Sequence, residues 1–335
     1  MTSAHVAAPD LHVTEGRHMP AGHVPRGGPA AEVRWPAEVE VVVLGVLGVH
    51  GPDRAAVAGE VERLRELTGQ QHGPTQVERA VRQAEAGVDE LLLCYWTSQA
   101  EHDAWWTSAV VAGWWTGERG DGIGVWAQVI STPRARHETM YSAPVPIGPA
   151  GPARPMGLTD VHDYQGAFVD RMPDPELGPD CRLVDGTPGQ AAGDGRDVGR
   201  LCVIRTEQDW SAAPPEQVTA YLERVEPTLR VAFDRLGTHP AETQCLGALS
   251  LRLVDVETGA ELPRTCVLAW WPSHEALNKW SATDPSHLAI LRTFWVEMVE
   301  PFNVELRLLL WHEVGLPSRV VHAAAGCAHP FVALA

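Results

Sequence analysis

The strongest constraint on this fold is an aromatic pattern that occurs once in each half of the chain. Tyr95-Trp96 and Trp270-Trp271 each end an apolar run that is typical of a buried strand. In both copies a serine lies two residues after the second aromatic, and a tryptophan lies nine residues after it. This repetition predicts an internal duplication, in which each copy joins a strand to a following helix in the same way.

The hydrophobic periodicity predicts similar strands and helices in the two halves. Strands are predicted at 38–50, 89–96, 123–131, 200–205, 245–255, 264–271 and 303–314. Helical spacing is found over 53–87, 98–115, 214–236 and 273–300. The order β-α-β-β-α-β is the ferredoxin-like pattern. We therefore expect an α+β protein with two ferredoxin-like halves that form a dimeric-α/β-barrel-type fold, leaving a pocket between helix and sheet.

Proline and glycine are dense between residues 143 and 199, which predicts a long and mostly irregular connector. Loops of this length inside a compact chain are usually functional or disordered. The connector separates an N-terminal half at 36–142 from a C-terminal half at 200–335. Residues 1–35 have no apolar core and no cleavage-type pattern, so we interpret them as a flexible arm rather than a secretory signal.

Charge and cysteine usage narrow the function classes. Asp and Glu total 43 against 26 Lys and Arg, and the resulting net charge of −17 repels phosphate backbones and anionic lipid. We therefore expect neither nucleic acid nor membrane as a partner, and a cytoplasmic location. The six cysteines form no CxxC pair, and four lie in apolar runs, where we expect small buried hydrophobes. Those four are Cys94, Cys202, Cys245 and Cys266.

His287 lies at the start of a predicted helix. Asp284 is a suitable N-cap and Pro285 suits the first helical position, so His287 falls in the first turn. Helical spacing places four apolar residues on its face, namely Ile290, Leu291, Phe294 and Met298. A buried imidazole needs a partner. The spacing leaves two possibilities, a core histidine bonded to a carbonyl or an axial ligand of haem iron.

His312 ends a predicted strand, whose alternation puts it on an apolar face. The other members of that face are Val304, Leu306, Leu308 and Leu310. A histidine in this position can act as a general acid or base, or it can be a satisfied rim residue. Arg205 and Thr206 end another predicted strand, and the polar residues at 207–209 extend an edge that could hold a small substrate.

Several segments together resemble the haem-containing aldoxime dehydratase family, of the phenylacetaldoxime dehydratase type. They are LCVIRTEQDWS at 201–211, YLERVEPTLR at 221–230, WSATDPSHLAI at 280–290 and LRLLLWHEV at 306–314. Weaker similarity is found in VVVLGVLGVHG, RHETMYSAP and YQGAFVDRMP. The combination extends from about residue 40 to 315 and is specific, although each piece alone is not.

The resemblance implies a role for particular residues. His287, in DPSHLAI, matches the proximal haem ligand, and His312, in LLLWHEV, matches the distal acid–base histidine. Arg171 matches the catalytic arginine after the YxG motif. Thr206 stands where the family has a serine that binds the oxime hydroxyl, and Glu138 matches a glutamate in RHETMYS. The sequence departs from the family at Val169, where an additional arginine is often found.

The implied activity is dehydration of an aldoxime, R–CH=N–OH, to a nitrile. It requires haem b, bound between helix and sheet and ferrous for activity, with the substrate nitrogen on the iron. His312 is expected to protonate the departing hydroxyl and then remove the C–H proton, while Thr206 and Arg171 orient the oxygen. Alternatives are haem chemistry of the peroxidase or chlorite-dismutase type, a haem carrier or sensor, and a haem-free barrel. A homodimer is possible because sheet edges are exposed.

Overall fold

The structure is a computed structural model of the 335-residue chain. It describes residues 18–26, 28–84, 86–153, 156–190, 193–302 and 305–331. The fold is a mixed α/β fold, with helices packed on one large sheet. Within these ranges no helix is both long enough and apolar enough to cross a membrane.

The fourteen strands follow the sheet in the order β7-β1-β6-β13-β10-β12-β11-β3-β4-β2-β5-β14-β8-β9. Their bounds are β1 Ala30–Val33, β2 Val41–Gly51, β3 Gln76–Ala84, β4 Gly87–Trp96, β5 Gly124–Pro133, β6 His137–Tyr141, β7 Met156–Thr159, β8 Arg182–Asp185, β9 Arg196–Asp197, β10 Cys202–Asp209, β11 Gly247–Val254, β12 Glu261–Trp271, β13 Leu309–Gly315 and β14 Arg319–Ala325. All described pairs of strands are antiparallel except β14 with β8.

Eleven α-helical segments lie in the described residues. They are α1 Arg54–Thr68, α2 Gln99–Trp106, α3 Ala109–Thr116, α4 Ala150–Ala153, α5 Ala167–Arg171, α6 Pro215–Ala220, α7 Glu226–Thr238, α8 Pro240–Thr243, α9 His274–Thr283, α10 Pro285–Phe294 and α11 Glu300–Phe302. One π-helical turn, Tyr221–Val225, joins α6 to α7, and another, Trp295–Val299, joins α10 to α11. Such turns often occur near functional sites.

The sheet contains two four-stranded groups with matching orders. The first is β5-β2-β4-β3 and the second is β13-β10-β12-β11, and β3 pairs with β11 where the groups meet. Helices lie on the outer face of each group, while the inner faces share one apolar core that contains, for example, Leu44 from the first and Leu268 from the second.

The aromatic repeat corresponds to one packing arrangement that occurs twice. In each copy the serine side chain accepts a hydrogen bond from the backbone N–H three residues later, which caps the helix. These caps are Ser98 and Ser273. The strand-end Trp96 packs on Trp105 with ring centroids 5.3 Å apart, and Trp271 packs on Trp280 at 5.2 Å. The repeat therefore fixes the position of a helix against the strand before it in both groups.

The predicted helical segment at 53–87 is wrong beyond Thr68. The chain turns at Gly69–Pro74 and residues 76–84 form β3. The charged residues of this strand have the spacing expected of an exposed helix face. In the structure, however, Glu78 and Arg79 are buried. Glu78 pairs with Arg264 from the other half of the chain. Arg79 pairs with Glu90 on the adjacent β4 and donates to the carbonyl of Val256. Local periodicity cannot reveal such pairing across strands.

Other element bounds also differ from the predictions. The strand predicted at 303–314 begins at Leu309, and Val304 lies outside the described residues. The helix predicted at 98–115 is two helices, with Ser108 capping the second. The sequence did not predict β14, and β1 lies within the segment 1–35 that was predicted to be an arm. The connector carries α4, β7, α5, β8 and β9.

Charged side chains lie inside the sheet, between the two groups of strands. Arg205 is fully buried. It forms an ion pair with Glu78 at 2.8 Å and donates hydrogen bonds to Glu207 at 2.8 Å and to the hydroxyl of Tyr95 at 2.7 Å. Tyr95 donates in turn to Glu313 of β13. Because Glu78 and Tyr95 belong to the first group and Arg205 and Glu313 to the second, this network ties the two groups together.

We predict that Arg205→Met lowers the free energy of unfolding by about 3 kcal/mol, since the buried carboxylates of Glu78 and Glu207 lose one of their two shared cations and keep only Arg264. Urea denaturation would measure the change. The matched control is Arg252→Met, which removes an exposed ion pair with Glu261 at 3.0 Å and is expected to cost at most about 1 kcal/mol. Equal losses in the two variants would contradict a stabilising role of the network.

Candidate active site

Three neighbouring strands bring polar side chains together on the outer face of the second group. In the β10–β13 pair Thr206 lies opposite His312, and in the β13–β6 pair His312 lies opposite Met140. Glu138 lies two residues before Met140 on β6, so strand alternation places it on the same face. The backbone register alone therefore places Thr206, His312 and Glu138 side by side.

Arg171 reaches this face from α5, in the connector. Its Nε donates to Glu138 Oε2 at 2.6 Å, and Nη1 donates to the carbonyl of Val161 at 2.5 Å. Its Nη2 lies 3.0 Å from Nε2 of His312, and Glu138 Oε1 lies 3.3 Å from that same nitrogen. The structure thus brings Arg171, Glu138 and His312 into direct contact. These are three of the four residues predicted to be catalytic.

The three contacting side chains differ in exposure. Those of Arg171 and Glu138 are 3% and 0% exposed, whereas that of His312 is 23% exposed. Burial alone raises the pKa of Glu138, but Arg171 and His312 outweigh it, and the net pKa lies below its usual value. Glu138 therefore supplies a fixed negative charge, and His312 is the member of the group that a small molecule can reach.

The protonation state of His312 decides which partner its Nε2 has. Arg171 can only donate, so its contact requires Nε2 to accept, as in a neutral ring. Glu138 Oε1 is buried and has no hydrogen-bond donor among the described residues. Protonation of Nε2 would provide that donor at the observed 3.3 Å. The arrangement therefore has a partner for either state, Arg171 as the donor to a neutral ring and Glu138 as the acceptor from a protonated one, which suits proton transfer by His312.

Thr206 lies opposite His312, on the same face of the sheet. Its hydroxyl donates weakly to the carbonyl of Trp311 at 3.4 Å, so it is free to turn towards a ligand on this face. The prediction that Arg205 shares a substrate-binding edge with Thr206 is wrong, because the strand continues to Asp209 and alternation turns Arg205 inwards. Arg205 and Glu207 are two residues apart and therefore lie on the same face of the strand. This spacing could have shown that Arg205 faces away from Thr206.

His287 lies on the helix that faces this part of the sheet. Asp284 caps α10 by accepting from the N–H of Ser286 at 2.9 Å, and Pro285 occupies the first turn, as predicted. Nδ1 of His287 lies 2.6 Å from the carbonyl of Ser281, which makes Nδ1 the donor and leaves the lone pair on Nε2. Nε2 has no hydrogen-bond partner in the part of the chain that the structure describes.

This geometry suits a metal ligand. Burial lowers the pKa of His287, which favours the neutral ring that coordinates iron. A backbone carbonyl that holds Nδ1–H is the usual outer partner of a coordinating imidazole. His287 does not contact Arg171, Glu138, Thr206 or His312 within the described residues. Its ring packs on that of Trp280, with centroids 4.6 Å apart, and an apolar interface of Ile290, Phe294 and Leu310 joins its helix to β13.

That interface is incompletely packed. None of the ten residues of α10, all of them described, is fully buried, and Leu288 and Leu291 are 44% and 55% exposed. Ile290 and Phe294 of α10 join the same apolar cluster as Leu310 of β13 but are only partly buried there. An apolar helix face that its own sheet does not bury fits a large, flat and apolar ligand such as haem.

In the first group, side chains fill the corresponding space between the helices and the sheet. Helices α1, α2 and α3 bury, among others, Trp105, Trp106 and Trp115 against β2, β4 and β5. These tryptophan rings are therefore part of the core. Sequence reasoning also missed Val161, whose carbonyl anchors Arg171. A carbonyl leaves no signal in the sequence.

Comparison with known proteins agrees with this geometry. Residues 45–319 match the haem-containing dehydratase family, so the chain belongs to that family. It is therefore a lyase whose cofactor is haem, as the resemblance implied. The resemblance found in the sequence is confirmed.

Individual relatives are dehydratases that act on aldoximes. The chain is 30% identical over 314 residues to the phenylacetaldoxime dehydratase of Bacillus sp. (strain OxB-1), which covers 90% of this chain and 88% of the relative. It is 29% identical over 335 residues to the aliphatic aldoxime dehydratase of Pseudomonas chlororaphis, covering 92% of each chain.

Solved structures share the fold. A crystal structure of aldoxime dehydratase is 26% identical, with a TM-score of 0.79 over 95% of this chain and 93% of that one. A second aldoxime dehydratase, crystallised with butyraldoxime, has a TM-score of 0.80 over 96% of this chain and 92% of that one. At 24% identity this second likeness concerns the fold alone.

The lowered pKa of Glu138 predicts a pH-dependent contribution to stability. A carboxylate whose folded pKa is depressed stabilises the fold above its ordinary pKa of 4.5, and this contribution is lost as the pH falls through the folded value. The difference in free energy of unfolding between wild type and Glu138→Gln should therefore shrink as the pH falls from about 6 to about 3.

Urea denaturation at steps across that range checks the difference. The control is Glu38→Gln, at an exposed position. A difference for Glu138→Gln that stays constant with pH would show that the glutamate is not held as a carboxylate by its neighbours.

Proposed function

We propose that this protein converts an aldoxime, R–CH=N–OH, to the nitrile R–C≡N and water. The observation that carries the proposal is the contact of Arg171, Glu138 and His312 on the sheet face opposite the unburied face of α10. Membership of the haem-containing dehydratase family and the names of the curated relatives support it.

We further propose that haem b would be held between α10 and the sheet by Nε2 of His287. The carbonyl-held Nδ1, the free Nε2 and the unburied apolar face of α10 support this placement. When bound and reduced, the haem supplies a coordination position for the oxime nitrogen and electron density for cleavage of the N–O bond.

In this proposal His312 carries the proton. Cationic His312 donates from Nε2 to the departing hydroxyl, because hydroxide alone is a poor leaving group. The neutral ring then removes the proton from carbon, which completes the loss of water. Glu138 stabilises the cationic ring before transfer, since its Oε1 lies 3.3 Å from Nε2, and Arg171 stabilises the neutral ring afterwards by donating to the same nitrogen.

Arg171 and Thr206 orient the oxygen that leaves. Thr206 lies directly opposite His312 in the strand pair, so its hydroxyl and Nε2 can approach one ligand atom. The guanidinium of Arg171 adds a second donor to that atom while Glu138 holds its Nε in place. The methyl group of Thr206 narrows the space beside the hydroxyl, compared with the serine of the family.

The finer architecture is part of the same proposal. The matching strand orders support two ferredoxin-like halves, at 36–142 and 200–335, that form a barrel of the dimeric α/β type. Residues 1–35 and the connector at 143–199 complete the division of the chain. The two sheet ends, at β7 and β9, support a homodimer, and six free cysteines support a reducing, cytoplasmic location.

His287→Ala is expected to abolish the Soret band of the haem-supplemented protein, because iron loses its proximal ligand. His274→Ala is the matched control, since His274 begins the preceding helix and should leave the band unchanged. Absorption spectra of the two purified variants check this. A normal Soret band in His287→Ala would remove His287 from its role.

His312→Ala is expected to keep the Soret band but to lower nitrile formation by about 10²–10⁴-fold, the usual contribution of general acid–base catalysis. Nitrile would be quantified by gas chromatography under anaerobic, reducing conditions. Retained turnover would contradict proton transfer by His312.

The activity itself is tested on the wild-type protein. Reduced, haem-loaded protein should form nitrile from an arylacetaldoxime or an aliphatic aldoxime without oxygen or peroxide. Oxidation that depends on peroxide, or degradation of chlorite, would favour the peroxidase-type alternative. Rapid haem exchange without turnover of any of these substrates would favour a carrier or sensor.

A further inference from the structure

A segment near the N-terminus contacts the connector that carries Arg171. We define residues 18–26 as the strap. The ring of His23 bonds to the carbonyl of His162 at 2.7 Å, and the N–H of Arg26 donates to Asp163 at 2.9 Å. These contacts lie next to Val161, whose carbonyl accepts from Arg171. The strap therefore holds one of the two connector segments that fix the guanidinium.

The strap holds the other segment through Asp170. The backbone N–H of His18 donates to Oδ2 of Asp170 at 2.7 Å, and Nδ1 of its ring lies 2.7 Å from Oδ1. The hydroxyl of Tyr164 donates to Oδ2 at 2.9 Å. Burial alone raises the pKa of Asp170, but the bonds from His18 and Tyr164 outweigh it and the net pKa is lowered. The carboxylate side chain is fully buried, while His18 is 52% exposed.

The backbone beneath His18 is adapted to this contact. Gly166 precedes α5 with a φ of 90°, a conformation that side chains rarely adopt. A Cβ at this position would lie 2.9 Å from the ring of His18. Glycine therefore permits both the turn into α5 and the approach of the strap.

Helix α5 depends on this anchoring. It has only five residues, and its N-cap makes no side-chain hydrogen bond. Arg171 is its last residue and Asp170 the one before, so a shift of Asp170 displaces the base of the arginine side chain. Small displacements of a catalytic group are costly, since about 1 Å can lower a rate by about 10²-fold.

We propose that His18 and Asp170 are a positioning pair that sets the place of Arg171 over the site. This inference rests on the proposed function, in which Arg171 orients the leaving oxygen. His18 acts through Arg171 and does not touch the substrate. A contact at the other end of the strap supports this positioning role. The guanidinium of Arg26 packs over the ring of Trp295, 5.0 Å from its centroid. Trp295 directly follows the helix that carries His287.

The first experiment compares His18→Ala with His18→Asn in the full-length, haem-loaded protein. His18→Ala should lower kcat about 10-fold or more with an unchanged Soret band, whereas His18→Asn should restore most of the rate, because its amide can donate to Asp170. The matched control is His50→Ala, which removes a 2.8 Å bond to buried Asp89 in the first group of strands and should leave kcat unchanged. No loss in His18→Ala, or no rescue by asparagine, overturns the proposal.

A double-mutant cycle tests whether the effect passes through Arg171. His18→Ala should cost much less in an Arg171→Lys background than in wild type, since the group that it positions is already altered. Fully additive losses would overturn the proposal.

A spectroscopic readout is independent of turnover. The C–O stretching frequency of the ferrous carbon monoxide adduct reports the charge near the distal side of haem. Arg171→Ala should shift this frequency, and His18→Ala should shift it in the same direction, while His50→Ala should not. A shift for Arg171→Ala without one for His18→Ala refutes the positioning pair. Absence of nitrile from wild type, with these shifts present, refutes the proposed activity and leaves the pair intact.

Discussion

The buried cation of Arg205 is the interaction on which the rest of this structure depends. It lies between two groups of strands and bonds to Glu78 and Tyr95 of the first and Glu207 of the second. Because side chains alternate along a strand, turning Arg205 inwards turns Thr206 outwards. Glu313 accepts a hydrogen bond from the same Tyr95 and therefore faces inwards, which turns its neighbour His312 outwards. A slip of one residue in either strand would bury Thr206 or His312 and expose the charges, so the network defines the register of the candidate site.

The two groups of strands repeat one arrangement but differ in how completely their helices cover the sheet. In the first group, tryptophans fill the space beneath the helices, and this side of the molecule is ordinary core. In the second, α10 leaves an apolar face partly exposed beside Leu310. The side chains, rather than the order of the strands, make one interface a filled core and leave the other partly exposed. This difference supports our proposal of a haem site in the second group alone.

Much of this arrangement could be predicted from local patterns. The aromatic repeat located two equivalent strand–helix units, and the Asp284-Pro285 start of α10 placed His287 in a first turn. The same patterns failed for β3, where Arg264 from the other half of the chain pairs with buried Glu78. They failed for Arg205 for the same reason. Periodicity reports which side of an element is polar, but it cannot report whether a distant charge covers that side.

The sequence by itself determined the strands that carry Thr206 and His312, the start of the helix that carries His287 and, through resemblance, the family. Only the tertiary structure decided how the side chains of the proposed site meet. Arg171 comes from the connector, Glu138 from β6 and His312 from β13, and their contacts at 2.6 to 3.3 Å join residues far apart in the chain. Strand pairing and the anchoring of α5 by His18 produce these distances. They depend on long-range contacts that gain free energy only once the whole sheet is assembled, and no short segment encodes them.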